Sequence, residues 1–277
     1  MANEDKAGER SYEVSIEIDA PADRVWKSVS VAEEITKWFA PEVKVVPGAG
    51  GSITASWGPG MEGTTQIEIW DEPRHLRCGE DRDQSYCGGK DDQVRHLATD
   101  YLIEDAGNGK TLLRIVQSGF GPGAVWDNDI ESTQRGWTTF LRILKHNVEH
   151  HWGEPAVNIS VNVYSAHAPE PAWDLLWKGL TGNVGRLPAE RGSAYSVETP
   201  GGLEMRGITD LFGGRHFSGT IENWNNALCG LLMETHKLGS ATYLMLTLYS
   251  MPAERVEQIQ KVCFEELSRI LGGVPRP

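Results

Sequence analysis

The stretch YEVSIEIDAPADRVWKSVSVAEEITKWFAP, residues 12–41, decides the fold. Val14, Ile16 and Ile18 alternate with Glu13, Ser15, Glu17 and Asp19, the period-2 pattern of a strand with one face buried. Ala20-Pro21 ends the strand, and Pro21 suits the first turn of a helix, where a backbone N–H is not needed. Val25, Trp26 and Val29 then fall at helical spacing. Ile35, Trp38 and Phe39 repeat the pattern behind the acidic pair Glu33-Glu34, until Pro41 stops it. The same opening returns more faintly over 157–177 as VNISVNVYSAHAPEPAWDLLW, about 145 residues further on. A strand, a proline and a Trp-bearing helix, met twice, predict a duplicated domain.

The segments between the two openings read as short strands punctuated by glycine. Strands are expected at 43–46, 53–57, 64–70 and 75–78, then a polar loop over 79–93. Two longer strands, 94–104 and 111–118, flank AGNG, a hairpin signal. From about Asp129 to His151 the spacing turns helical, with Trp137, Phe140, Leu141, Leu144 and Val148 on one stripe. The second half repeats the order. A strand through Ile159, Val161 and Val163 precedes a Pro-opened helix with Trp173, Leu176 and Trp177. Strands are expected near 203–210, 215–222, 226–235 and 240–249, and a last helix carries Val256, Ile259, Val262, Cys263, Leu267 and Ile270 along one side. Residues 181–200 show little periodicity and are expected to replace strands of the first half. Runs of strands covered by helices make an α+β fold, with domains at 1–153 and 154–277.

Charge narrows the function classes. The net charge is −13, and acidic residues outnumber basic ones 26 to 16 in residues 1–153 and 13 to 10 in the rest. Phosphate-rich partners need a basic surface, so nucleic acid is not an expected partner. The chain has no run of 18 or more apolar residues and opens on the polar MANEDKAGER, so neither membrane insertion nor secretion is expected and the location reads as cytoplasmic. Cys78, Cys87, Cys229 and Cys263 form no CxxC pair and are expected as reduced thiols, with a Cys78–Cys87 bridge as the alternative.

Motifs of catalysis fail their context. GPGMEG (58–63) matches GxGxxG but lies between two strands and opens no helix. His146, Glu149 and His150 match HxxEH, yet they fall in the last turns of the long helix, where histidines complement the dipole, and no downstream ligand follows. Asp127, Asp129 and Glu131 suit a helix start better than a metal loop. No catalytic residue, metal or cofactor is therefore assigned.

The ordered pieces IEIDAPADRVWKSVS, ITKWFAP, TDYLIEDAGNGKTLLRIVQSGFG and RGWTTFLRILKHNVE resemble the activator of heat-shock-protein-90 ATPase homologue-like branch of the START-like (SRPBCC) superfamily, over about residues 12–150. The second half, about 156–272, resembles the same fold in its element order. The resemblance implies two tandem helix-grip domains, each a curved antiparallel sheet wrapped around a long C-terminal helix with a cavity between them. It also implies a small hydrophobic ligand, such as a lipid, a polyketide or an aromatic metabolite. Candidate ligand-binding residues in the first domain are Trp57, Trp70, Tyr101, Arg114, Trp126, Trp137 and Phe140, against the alternative that the aromatics only fill the core and that Arg114 pairs with an acidic cross-strand neighbour. Trp173, Trp177, Tyr195, Trp224 and His216 are the second-domain counterparts. The two domains are expected to pack on each other as a pseudo-dimer. Two other readings stay open: a cyclase or dehydratase using His96, Asp100 or Glu104, which strand parity places opposite Tyr101, and a protein-interaction or chaperone-regulating module.

Overall fold

The computed structural model describes residues 3–4, 9–58, 60–82, 94–181, 188 and 190–273. The chain divides into two compact units, Met1–Trp152 and Gly153–Pro277. In the first unit a two-residue strand β1 (Asn3–Glu4) and the opening strand β2 (Arg10–Ile18) precede helices α1 (Ala22–Ser30) and α2 (Ala32–Ile35). Six strands follow: β3 (Glu42–Val46), β4 (Ser52–Ser56), β5 (Glu62–Asp71), β6 (His75–Arg82), β7 (Arg95–Gly107) and β8 (Lys110–Phe120). The long helix α3 (Ala124–His150) closes the unit. The sheet is antiparallel, in the order β1-β2-β8-β7-β6-β5-β4-β3, so the first long strand lies beside the last and the others meander.

Among the described residues, the second unit repeats that topology with one α-helix and two strands fewer. Strand β9 (Ala156–Ser165) leads into α4 (Pro169–Thr181), then β10 (Ala194–Glu198), β11 (Glu204–Gly213), β12 (His216–Ile221), β13 (Ala227–His236), β14 (Gly239–Tyr249) and α5 (Ala253–Leu271). The order is β10-β11-β12-β13-β14-β9, again with the first strand paired to the last. Two expectations are corrected. Residues 194–198 form β10, whose Tyr195 and Val197 point into the core, so the weakly periodic segment supplies a strand. Helix α3 begins at Ala124, five residues before the predicted start, because Gly123 at φ 96° turns the chain and Trp126 is already fully buried in the first turn. Cys78 is a buried free thiol, whereas Cys87 lies outside the described residues.

Alternation explains which face each strand buries. Ile18 on β2 and Leu113 and Ile115 on β8 are fully buried, while Glu13, Glu17 and Arg114 face the other way. Helix α3 packs over β2 and β8 with Ile130, Trp137, Leu141, Leu144 and Val148 buried. In the second unit α5 lies on β9 and against α4, burying Ile259, Cys263 and Leu267. Ala227–Met233 on β13 is buried at every position, so both faces of that strand are covered. Trp38 is pinned as well as buried: its Nε1 donates to the Ser28 carbonyl at 2.7 Å. Among the described residues no helix is long and apolar enough to cross a membrane.

Leu144 is fully buried at the centre of the gripped stripe. Leu144→Ala is expected to destabilise the first unit by about 2–5 kcal/mol, read as an earlier unfolding transition in urea while the transition of the second unit stays in place.

Candidate functional site

The face of β7 that looks toward α3 carries Leu97, Thr99, Tyr101 and Ile103, because Tyr101 pairs with Ile115 and Ile103 with Leu113. Four of the predicted residues gather there. The Trp137 ring lies 5.6 Å from Tyr101, edge to face, and 6.2 Å from Phe140. They are joined by Phe39, at 5.0 Å from Trp57, 4.9 Å from Phe140 and stacked at 5.8 Å on Trp137. The Trp57 Nε1 donates to the Phe39 carbonyl at 2.9 Å, which holds the indole in place. Trp126 stands apart, packed at 6.0 Å on Phe120, which lies 5.7 Å from Tyr12. Trp70 meets Trp26 of α1 at 5.2 Å. Phe39 was visible in the sequence only as one of three apolar helix positions.

A polar row crosses the same inner face. Tyr12 and Gln117 are cross-strand partners, and the Tyr12 hydroxyl donates to Gln117 Oε1. Gln117 Nε2 in turn reaches Thr99 Oγ1 at 3.4 Å. Glu80 and Arg82 share the inward parity of Leu76 and Cys78 on β6. Arg82 contacts Glu80 at 2.5 Å and Asp129 of α3 at 3.9 Å. Burial raises the phenol pKa of Tyr12, opposed by a hydrogen bond with Thr133, and burial lifts that of Tyr101 well above its usual range. Both stay neutral hydroxyls at any physiological pH. Register could have found this row, since Tyr12, Thr99 and Gln117 occupy inward positions of neighbouring strands. Sequence alone does not show which strands are neighbours.

Arg114 is corrected as a ligand anchor. It lies on the outer face, bound to Glu13 at 2.8 Å and Glu104 at 2.7 Å. The three acid–base candidates His96, Asp100 and Glu104 are on that outer face too. Asp100 accepts from Arg77 at 2.6 Å and from His75 at 2.7 Å, and Arg77 reaches Glu68 at 2.9 Å. His96 sits between Glu68, at 2.6 Å from Nε2, and Asp81, at 2.9 Å from Nδ1. These side chains form a cross-strand charge lattice rather than a cavity acid or base. At the far end of α3, His146 is buried and His150 is 54% exposed, and among the described residues no set of three His, Cys, Asp or Glu side chains is placed to hold a metal ion.

The second unit contains a cavity of about 40 Å3 between the sheet, α4 and α5. Trp177 and Tyr195 line it, as does Phe217, which stands 5.2 Å from Trp177 and 5.3 Å from Tyr195. Trp173 backs Trp177 at 5.6 Å. Trp224 lies in the turn after β12, and His216 pairs with Leu232 on the opposite sheet face, so neither lines the cavity. Leaving 40 Å3 unfilled costs about 1 kcal/mol.

An antiparallel sheet whose first long strand lies beside its last, followed by a long C-terminal helix, occurs twice in the chain, a tandem helix-grip arrangement. Residues 19–149 match the family described as Activator of Hsp90 ATPase homolog 1-like protein. Among solved structures, the di-domain ARO/CYC BexL from the BE-7585A biosynthetic pathway shares 16% identity over 97% of this chain and 100% of its own, with a TM-score of 0.43. The di-domain ARO/CYC StfQ from the steffimycin pathway shares 12% over 94% and 96%, with a TM-score of 0.40. The Aha1 dimer from Colwellia psychrerythraea shares 15% over 52% of this chain and 98% of its own, with a TM-score of 0.43. No curated protein matches the chain.

The two carboxylates facing His96 hold its pKa above the usual imidazole value, the Asp81 hydrogen bond first and Glu68 next, with partial burial opposing them. A raised folded pKa contributes stability that is full below the unfolded value of about 6.5 and is lost as pH rises through the folded value. His96→Gln is expected to flatten the decline in first-unit stability above pH 6.5, measured by urea unfolding in a pH series. An unchanged slope would remove His96 as its source.

Proposed function

We propose that the protein binds a small hydrophobic ligand in the first unit, between the sheet and α3. The observation that carries this reading is the pairing of an aromatic wall (Phe39, Trp57, Tyr101, Trp137, Phe140) with the buried polar row Tyr12–Gln117–Thr99 on one inner face. An apolar surface with a few convergent polar groups is what fixes a ligand of this kind. A core with only a packing role gains nothing from placing three hydrogen-bonding side chains on its inward strand positions, where each must find a partner. The chemistry favours a flat aromatic or polyketide-like molecule. Its rings would lie on Trp137 and Tyr101, and a hydroxyl or carbonyl would exchange hydrogen bonds with Gln117 and Thr99. Burial of apolar ligand area at about 25 cal/mol per Å2 supplies the affinity, less the cost of ordering.

One arrangement favours a second reading, an enzyme of the cyclase or dehydratase type. Glu80 and Asp129 both reach Arg82 on the gripped side of the sheet. There a carboxylate could take a proton from a bound substrate, with the Arg82 guanidinium holding the charge that remains. His96, Asp100 and Glu104 have no part in this reading.

Native mass spectrometry of the freshly purified chain, followed by extraction, is expected to reveal a bound hydrophobic molecule. A clean apo mass, with no thermal shift across a lipid and polyketide panel, would count against binding. Trp137→Ala is expected to weaken uptake of a responding compound at least tenfold, whereas Arg114→Ala leaves it unchanged. Turnover of that compound, abolished by Glu80→Gln, would select the enzyme reading.

A further inference from the structure

The cavity of the second unit has an apolar lining and sulfur on several sides. Cys229 of β13, Cys263 of α5 and Met205 of β11 all line it, beside Leu231, Leu244 and Leu267. Burial raises the pKa of the Cys263 thiol to about 12 and that of Cys229 higher still, so both are neutral, polarisable walls. Collapse is prevented by rings held in place. The Tyr195 hydroxyl donates to the Thr220 carbonyl at 2.7 Å, and Trp177 is braced edge-on by Phe212 at 5.4 Å and Phe217 at 5.2 Å. Glu266 closes one side with its aliphatic stem, because its Oε2 is held by Arg269 at 2.6 and 3.1 Å. The turn before β11 presses on the same place: a Cβ on Gly201 would lie 2.6 Å from Val262 and 3.2 Å from Glu266. Arg269 is 54% exposed, so the clasp over the cavity stands at the surface.

We propose that the second unit has a binding site of its own, for a small, uncharged, polarisable apolar molecule or group such as a short hydrocarbon or halocarbon. Water is a poor occupant, since it needs two to four polar partners. A charged guest would lose its hydration, and the lining carboxylate, Glu266, is already paired with Arg269. A soft guest gains dispersion contacts with the thiols, the thioether and the surrounding rings. The volume admits only a few heavy atoms, far below the roughly 300 Å3 of a drug-sized pocket, so the guest differs in kind from the ligand proposed for the first unit. The two proposals are independent.

Xenon is the probe, followed by methyl NMR of the full chain. Saturable shifts are expected at Leu180, Leu231, Leu244 and Leu267, while methylammonium gives none. Leu244→Phe should fill the space and abolish the xenon response. Should that variant fail to fold, Cys229→Met fills the same cavity from the neighbouring strand. Glu266→Ala, which removes the stem and frees Arg269, should speed xenon exchange severalfold. Shifts that are absent or do not saturate overturn the site. Shifts that persist in both filled variants also overturn it, and a methylammonium response of equal size overturns the ligand class. Leu244→Phe should leave uptake by the first unit unchanged, so failure of one proposal is distinguishable from failure of the other.

Discussion

The burial of one apolar helix stripe against one apolar sheet face is the interaction on which the first unit depends. Ile130, Trp137, Leu141, Leu144 and Val148 of α3 lie toward the face that carries Ile18, Leu113 and Ile115. Neither surface is stable in water alone, because an amphipathic helix and a half-apolar sheet each expose what the other covers. The requirement fixes the register of every strand, since a slip of one residue would exchange the two faces. It also decides which side chains face the helix: only inward positions reach the space beneath it.

The outward positions obey a different physical logic. There Glu13, Arg114 and Glu104 form one cluster, and Glu68, Arg77, Asp100, His75, His96 and Asp81 another. Such pairs contribute little each at an exposed surface. Their joint effect is to satisfy a dense array of charges across β2, β8, β7, β6 and β5, in the half of the chain that holds most of its acidity. Arginine and histidine on a strand are therefore ambiguous by type. The face they occupy gives them their role, and here it excludes Arg114 and His96 from the interior.

The two units share a topological rule and differ in what they enclose. In both, the opening strand lies beside the closing one and a long helix ends the unit. The first interior combines rings with a hydrogen-bonded row, and the second combines rings with thiols around a small void. Duplication of the backbone plan places no constraint on the inward side chains beyond their being mostly apolar and well packed.

Much of this was legible along the chain. The alternation of Val14, Ile16 and Ile18, the prolines at 21 and 169, and the stripe from Trp137 to Val148 are local patterns with periods that backbone geometry imposes, and they fixed element type, order and the duplication. The 194–198 strand was missed because two inward residues, Tyr195 and Val197, are too few to establish a period. The candidate site was half legible. Trp57, Tyr101, Trp137 and Phe140 were marked by residue type and do come together, but their link, Phe39, and the row Tyr12–Gln117–Thr99 arise from residues as far as 105 positions apart. By itself the sequence determined which residues face one side of each element. Only the tertiary structure decided which sides meet, because strand pairing and helix docking bring together positions whose separation along the chain leaves no periodic trace.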